Sequence, residues 1–223
     1  MAHRRLPPAP QGLPDPGDYP LIVVGEIPAP PSDDNWLHEV KIDGWRLMLH
    51  IDGNGGIRLV SRNGNDWTWH FYAAIRDMAS CGHSAIIDGE LAVPDESGRP
   101  RLRLLQNAMK DGTPERMVYY AFDLLYLDGK DVRSQPIERR KSWLESLLKT
   151  VKQKQPQTRT SYVEHLIGGG PLVFDAAKRL DCEGIVSKRL GSAYRGGPKP
   201  ASFWVKSLCN PEAEASPPDP TLH

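Results

Sequence analysis

The chain has 223 residues, 39% apolar and 25% charged, with a mean hydropathy of −0.49. That is the balance of a globular protein long enough to bury one large core or two small ones, and it excludes a disordered or membrane-embedded chain. Lys plus Arg and Asp plus Glu both number 28, which excludes a uniformly basic nucleic-acid coat but not a local basic groove. The three cysteines, Cys81, Cys182 and Cys209, are far apart and lack CxxC spacing, so they predict reduced thiols of a cytoplasmic protein and no zinc site. The aliphatic run Leu21 to Val24 is too short for a signal peptide or a membrane span, and no membrane partner is expected.

Prolines crowd residues 1–31 and 211–220. Residues 1–20 are expected to form an extended, mobile arm, residues 211–223 a proline-rich acidic tail, and residues 21–210 the folded body. In chain order, Leu37–Lys41, Trp45–Ile51 and Ile57–Ser61 are short β-like runs separated by Asp43-Gly44 and by Asp52 to Gly56, which predicts an antiparallel meander. Residues 67–80 have helical spacing, with Asp66 as N-cap and Gly82 beyond the end. Ala85–Val93 is a strand closed by the turn Asp95 to Arg99. Met117–Leu127 is apolar except for Asp123, as in a strand buried on both faces. Pro136 opens a helix carrying Ile137, Leu144, Leu147 and Leu148 on one side, and a second helix follows Gly170-Pro171 to about Leu180. Short strands at Gly184–Lys188 and Ser202–Lys206 complete the body. Hairpins outnumber βαβ units, so the predicted class is α+β with antiparallel sheets flanked by helices.

Several common signatures are missing. There is no GxxxxGK[ST], no GxGxxG after a strand, no HExxH and no GxSxG. A nucleotide enzyme with this sequence must use side chains spread along the chain.

Four segments carry the chemistry: Glu39-Val-Lys41-Ile-Asp43-Gly44-Trp-Arg46, Ile87-Asp88-Gly89-Glu90, Tyr120-Ala-Phe122-Asp123, and Cys182-Glu183-Gly184-Ile-Val-Ser-Lys188 followed by Trp204-Val-Lys206. In this order and spacing they resemble motifs I, III, IIIa, IV and V of the covalent nucleotidyltransferases: ATP-dependent DNA ligases, RNA ligases and mRNA-capping enzymes. Ser61-Arg62-Asn63-Gly64 resembles the intermediate motif and favours the DNA-ligase branch. The strongest likeness is to the ligase domain of bacterial non-homologous end-joining ligases, over about residues 20–210.

The resemblance implies a set of roles. Lys41 would be the nucleophile that takes AMP from ATP, since a lysine amine attacking the α-phosphate gives a phosphoramidate that is still a good leaving group. Its amine must be made neutral first, because free lysine titrates near pH 10.4. Glu183 would hold magnesium. Glu90 would contact ribose or metal, Phe122 would stack on the purine, and Glu39 would accept from the adenine amino group. Arg62 would contact the ribose, and Arg46 the ribose and a DNA phosphate. Lys188 and Lys206 would neutralise the phosphates. Asp43 and Asp88 are expected to be turn residues supporting the site.

Two departures stand out. Motif V usually reads Trp-x-Lys-x-Lys, whereas this chain has Leu208 at the last position, and residues 196–202 lack the usual Arg-Ser pair. Basic residues outnumber acids between Lys178 and Lys206, and Arg99, Arg101, Arg103, Lys110 and Arg116 extend the charge, consistent with nicked double-stranded DNA as substrate. The resemblance also implies an oligonucleotide-binding barrel after motif V, where this sequence turns to Pro211-Glu-Ala-Glu. Inefficient sealing is therefore expected unless a separate DNA-binding or repair protein replaces that barrel. Two other readings stay open: an RNA ligase or guanylyltransferase of the same superfamily, and an impaired nucleotide- or DNA-binding module assisting a repair partner.

Overall fold

The structure is a computed structural model that describes residues 7–210. The first six residues of the expected arm and the whole of the expected tail lie outside the described residues. The strands are β1 (Val23–Glu26), β2 (Trp36–Val40), β3 (Trp45–Ile51), β4 (Ile57–Ser61), β5 (Ala85–Pro94), β6 (Pro100–Arg101), β7 (Val118–Leu127), β8 (Lys130–Asp131), β9 (Thr160–Tyr162), β10 (His165–Ile167), β11 (Gly184–Arg189) and β12 (Pro200–Leu208). The α-helices are α1 (Thr68–Ile75), α2 (Leu102–Lys110), α3 (Ile137–Lys154) and α4 (Gly170–Arg179).

Two sheets organise these elements. One has the order β1-β12-β11-β2-β10; the other runs β4-β3-β5-β7-β8, with β6 and β9 pairing β5 and β7. Most pairings are antiparallel, as expected for α+β, but β1 joins β12 and β9 joins β7 in parallel. The predicted meander is corrected at its first turn. β3 and β4 form a hairpin, whereas β2 pairs with β10 and β11 in the other sheet. Asp43-Gly44 is thus a crossing between sheets rather than a hairpin turn. Gly44 is required there, because a Cβ would stand 2.2 Å from the Leu91 carbonyl oxygen. Asp43 Oδ2 accepts from the Leu102 N–H at 3.1 Å and so satisfies one open donor at the start of α2.

Alternation along β3 and β5 separates two apolar cores. Leu47, Leu49, Ile87 and Leu91 face outward onto α1, α2 and α3 with Phe71, Leu105, Leu144 and Leu148. Met48, Ile86, Phe122 and Leu125 face inward, where they meet Trp204, Tyr194 and Val163. The second core is the layer between the two sheets. Residues 7–20 lie along this body: Tyr19 is buried beneath Arg133, whose guanidinium sits 4.0 Å from the ring centre, and Ile57 N donates to Pro8 O.

The helix predicted over residues 67–80 is α-helical only to Ile75 and continues as a 3-10 turn, Arg76–Ser80. The expected Asp66 cap is displaced by one residue: Trp67 holds the N-cap position without a side-chain cap bond, and Asp66 instead accepts from Thr68 N at 2.9 Å in a local turn. Asp88 and Gly89 are not a turn; they lie inside β5 between β3 and β7. Gly89 makes room for Tyr119, whose ring would approach an added Cβ to 2.5 Å.

Candidate active site

The face of the first sheet that looks into the interlayer is set by register. Val186 of β11 stands opposite Glu39 of β2 and opposite Lys206 of β12, and directly opposed residues share a face. Lys41 follows Glu39 by two residues, and its N–H donates to Gly184 O at 2.9 Å, which prolongs the strand alignment past the end of β2. From the second sheet, Arg46 on β3 stands opposite Glu90 on β5. On β7 the pairing jumps from Ala121 to Asp123, leaving Phe122 as the extra residue of a β-bulge. Bulges re-aim side chains, and this one sits at the cavity.

A cavity of about 320 Å³ opens between the sheets, lined by Glu39, Lys41, Arg46, Arg62, Glu90, Phe122 and Lys206 among apolar Ile22, Val163 and Val186 and the Trp204 ring. Seven of the nine residues singled out in the sequence therefore share one cavity. Glu183 sits beside it, with Oε1 accepting from Lys41 Nζ at 2.7 Å. Lys188 lies beneath the floor, 1% exposed, donating to Glu39 Oε2 at 2.8 Å and Phe122 O at 3.1 Å. Desolvation pushes the Lys188 ammonium down to about 8, and Glu39 opposes that shift. Lys206 pairs with Glu26 at 3.3 Å.

Arg46 is fixed by more contacts than a free ribose ligand needs. Its Nε and Nη2 donate to the two oxygens of Asp88 at 3.0 and 2.7 Å, and Nη1 donates to Ile22 O at 2.7 Å. The Tyr194 hydroxyl donates to the same Asp88 carboxylate at 2.7 Å. The guanidinium also lies 5.6 Å from the Phe122 ring centre and 5.3 Å from that of Trp204. Phe122 and Trp204 meet edge to face. Trp204 Nε1 is buried and has no hydrogen-bond partner among the described residues.

Glu90 has an unusual charge environment. Desolvation raises its carboxyl to about 8; Lys41 and Arg46 pull it back, while Glu183 and Asp88 push it up further. Glu90 and Glu183 near Lys41 offer carboxylate oxygens of the kind a hard divalent cation takes. No group of three or more acidic, His or Cys side chains is gathered for a metal among the described residues, so substrate oxygens and water would complete the shell.

Sequence reasoning gave Asp88 a supporting role as a turn residue, whereas it lies within β5, and it missed Tyr194 and Lys141 as parts of this site. Asp88 and Asp123 could have been flagged, because each interrupts an apolar strand, and a buried carboxylate needs a partner. Asp123 has one in Arg140, with bonds of 2.8 and 2.9 Å. The basic residues at 99–101 are less available than their count suggests: Arg99 and Arg101 are both paired with Asp95 and Asp181.

The same architecture occurs in solved structures. The chain is similar to the ligase domain of LigD from M. tuberculosis, with a TM-score of 0.72 and 32% identity over 85% of this chain and 59% of that one. It is likewise similar to a mycobacterial DNA ligase D solved with ATP and MES, with a TM-score of 0.70 and 31% identity over 85% of this chain and 60% of that one. Two packed sheets with a lysine at their crossing thus define a nucleotidyltransferase domain of the ATP-dependent DNA ligase fold. The family model "ATP dependent DNA ligase domain" matches residues 29–207, and the chain belongs to this family. Among curated relatives, it is 38% identical over 180 residues to the multifunctional non-homologous end joining protein LigD of Pseudomonas aeruginosa, covering 80% of this chain and 21% of that protein. It is 30% identical over 188 residues to the SPbeta prophage-derived DNA ligase-like protein LigB of Bacillus subtilis, covering 84% of this chain and 66% of that protein. The chain therefore spans about a fifth of the length of the LigD relative.

Proposed function

We propose that this domain is the adenylating unit of an ATP-dependent DNA ligase. Lys41 takes AMP from ATP as a lysyl phosphoramidate and releases pyrophosphate. The AMP passes to the 5′-phosphate at a nick in double-stranded DNA, and the 3′-hydroxyl then displaces it. The observation that carries this reading is the position of Lys41: it lines a cavity of nucleotide dimensions, 2.7 Å from Glu183 and within the field of Glu90.

The residues divide the work. Lys41 attacks only as a free amine, so its bond to Glu183 must open or take over the proton first. Glu183, with Glu90 nearby, would hold magnesium, which when bound supplies positive charge at the reacting phosphate. Lys206 and the buried Lys188 add to that potential, and Arg62 and Glu90 reach the ribose. Arg46 acts from a fixed seat on Asp88. Phe122 offers the base its ring, and Glu39 accepts from the adenine amine. We further propose a cytoplasmic setting, and a DNA-binding or repair partner that strengthens a grip weakened by the neutral overall charge.

The test is incubation of the purified protein with α-labelled ATP and magnesium. An acid-labile protein adduct is expected, absent in Lys41→Ala. An adduct that survives the substitution, or no adduct in the unaltered protein, overturns the assignment. Transfer from the adduct to nicked DNA but not nicked RNA separates DNA ligation from RNA ligation, and an adduct formed from GTP instead would indicate a guanylyltransferase.

A further inference from the structure

Lys141 belongs to none of the segments above, yet it reaches the cavity floor. It comes from α3, on the far side of the second sheet, and its side chain is 0% exposed. Its Nζ donates to Glu39 Oε1 at 2.5 Å and to Val163 O at 3.0 Å, and approaches Phe122 O at 3.5 Å. The ammonium lies 4.4 Å from the Tyr162 ring centre. Lys188 approaches the other oxygen of the same carboxylate and the same Phe122 carbonyl. Two buried ammonium groups therefore clamp one buried carboxylate and the carbonyl of the bulged residue whose ring faces the cavity.

A buried ion cluster is not needed for stability; apolar side chains of similar volume usually serve as well or better. Its particular property is a fixed acceptor in a dry wall. The surroundings of Glu39 on the cavity side are Phe122, Val163 and Val186, an apolar slot suited to a flat base. In such a slot a carboxylate locked as an acceptor attracts an exocyclic amine, as in adenine, and repels a carbonyl oxygen, as in guanine.

We propose that Lys141 is a positioning residue for base selection, holding Glu39 as a fixed hydrogen-bond acceptor and Phe122 in place beside it. The inference rests on the nucleotide-site reading above, but it concerns binding preference rather than adduct formation. Removing the ammonium frees one Glu39 oxygen to turn, and the wall no longer distinguishes the two purine edges. A defect confined to folding lowers binding of both nucleotides alike, whereas loss of positioning brings their affinities together.

The test is calorimetric binding of ATP and of GTP without magnesium, so that no covalent chemistry intervenes. The unaltered protein is expected to favour ATP. In Lys141→Met the preference should shrink roughly tenfold or more, the scale of one buried polar mismatch. Lys141→Gln, which keeps an amide donor for Val163 O but no charge, should behave alike and serves if the Met variant does not fold. In Glu39→Gln with Lys141→Met, the buried Lys188 loses its carboxylate partner, so the melting temperature should fall further than in Lys141→Met while the preference stays lost. No ATP preference in the unaltered protein, an unchanged preference in the single variants, or its return in the double variant each overturns the proposal. Failure of adduct formation with ATP preference intact would instead overturn only the ligase reading.

Discussion

Arg46 on β3 reaches diagonally to Asp88 on β5 in a two-pronged ion pair, with Asp88 fully buried and sharing one oxygen with the Tyr194 hydroxyl. Replacing one partner of such a pair leaves the other charge stranded. Asp88→Ala is therefore expected to cost about 3–5 kcal/mol in urea unfolding. Asp88→Leu combined with Arg46→Met should cost much less than the single change. A loss below about 1 kcal/mol in the single variant would show that the guanidinium is rehydrated rather than stranded.

Lys41 contrasts with this. It and Glu183 are each 21% exposed in the side chain, so their pair is partly screened by water. Lys41→Ala should abolish the covalent adduct while moving stability by no more than about 1 kcal/mol. Comparison of adduct labelling with thermal melts separates the two effects, and a large stability loss would mark Lys41 as chiefly structural.

His50 provides a pH dependence away from the chemistry. Its ring is 1% exposed, and desolvation with the Arg58 charge pushes it down to about 4 from 6.5. Between those values the unfolded chain binds a proton that the folded chain refuses, so stability is complete above pH 6.5 and falls as the pH drops towards 4. The full effect is on the order of 3 kcal/mol. Melting curves from pH 7 to 4 should fall more steeply for the unaltered protein than for His50→Phe. Equal slopes would show that other groups govern acid sensitivity.

Gly44→Ala tests the sheet crossing. The added methyl meets backbone and cannot be accommodated by a side-chain rotation, so a loss of about 1–3 kcal/mol is expected. Urea unfolding measures it, and an unchanged midpoint would mean that the crossing relaxes freely.

Most elements were legible because their periodicities are strong. The stripe Ile137, Leu144, Leu147, Leu148 predicts α3, and the apolar run Met117–Leu127, broken only by Asp123, predicts β7. The pairing partner of β2 was not legible. Asp-Gly between two apolar runs is the ordinary signal of a hairpin, and only the distant Gly184–Arg189 segment decides that β2 pairs elsewhere. α2 escaped the sequence reading although Leu102, Leu105, Ala108 and Met109 recur at helical spacing, because its interleaved basic residues read as a charge run. Within the site, residues in ordered motifs were found, while those reaching it from outside were not. Lys141 looks in sequence like a surface lysine of an amphipathic helix, and its burial depends on Glu39 and the Phe122 and Val163 carbonyls, which no local pattern brings together.

The crossing at Asp43-Gly44 has a mechanical consequence. Lys41, Glu39, Lys188 and Lys206 ride on one sheet, whereas Arg46, Glu90 and Phe122 ride on the other, so the distance from Lys41 to the latter three is a spacing between two layers. Met48, Ile86 and Leu125 set part of that spacing without lining the cavity. The methyl and methylene groups of this inner layer thus act as shims, and the domain's catalytic tolerance is written partly in the thickness of its core.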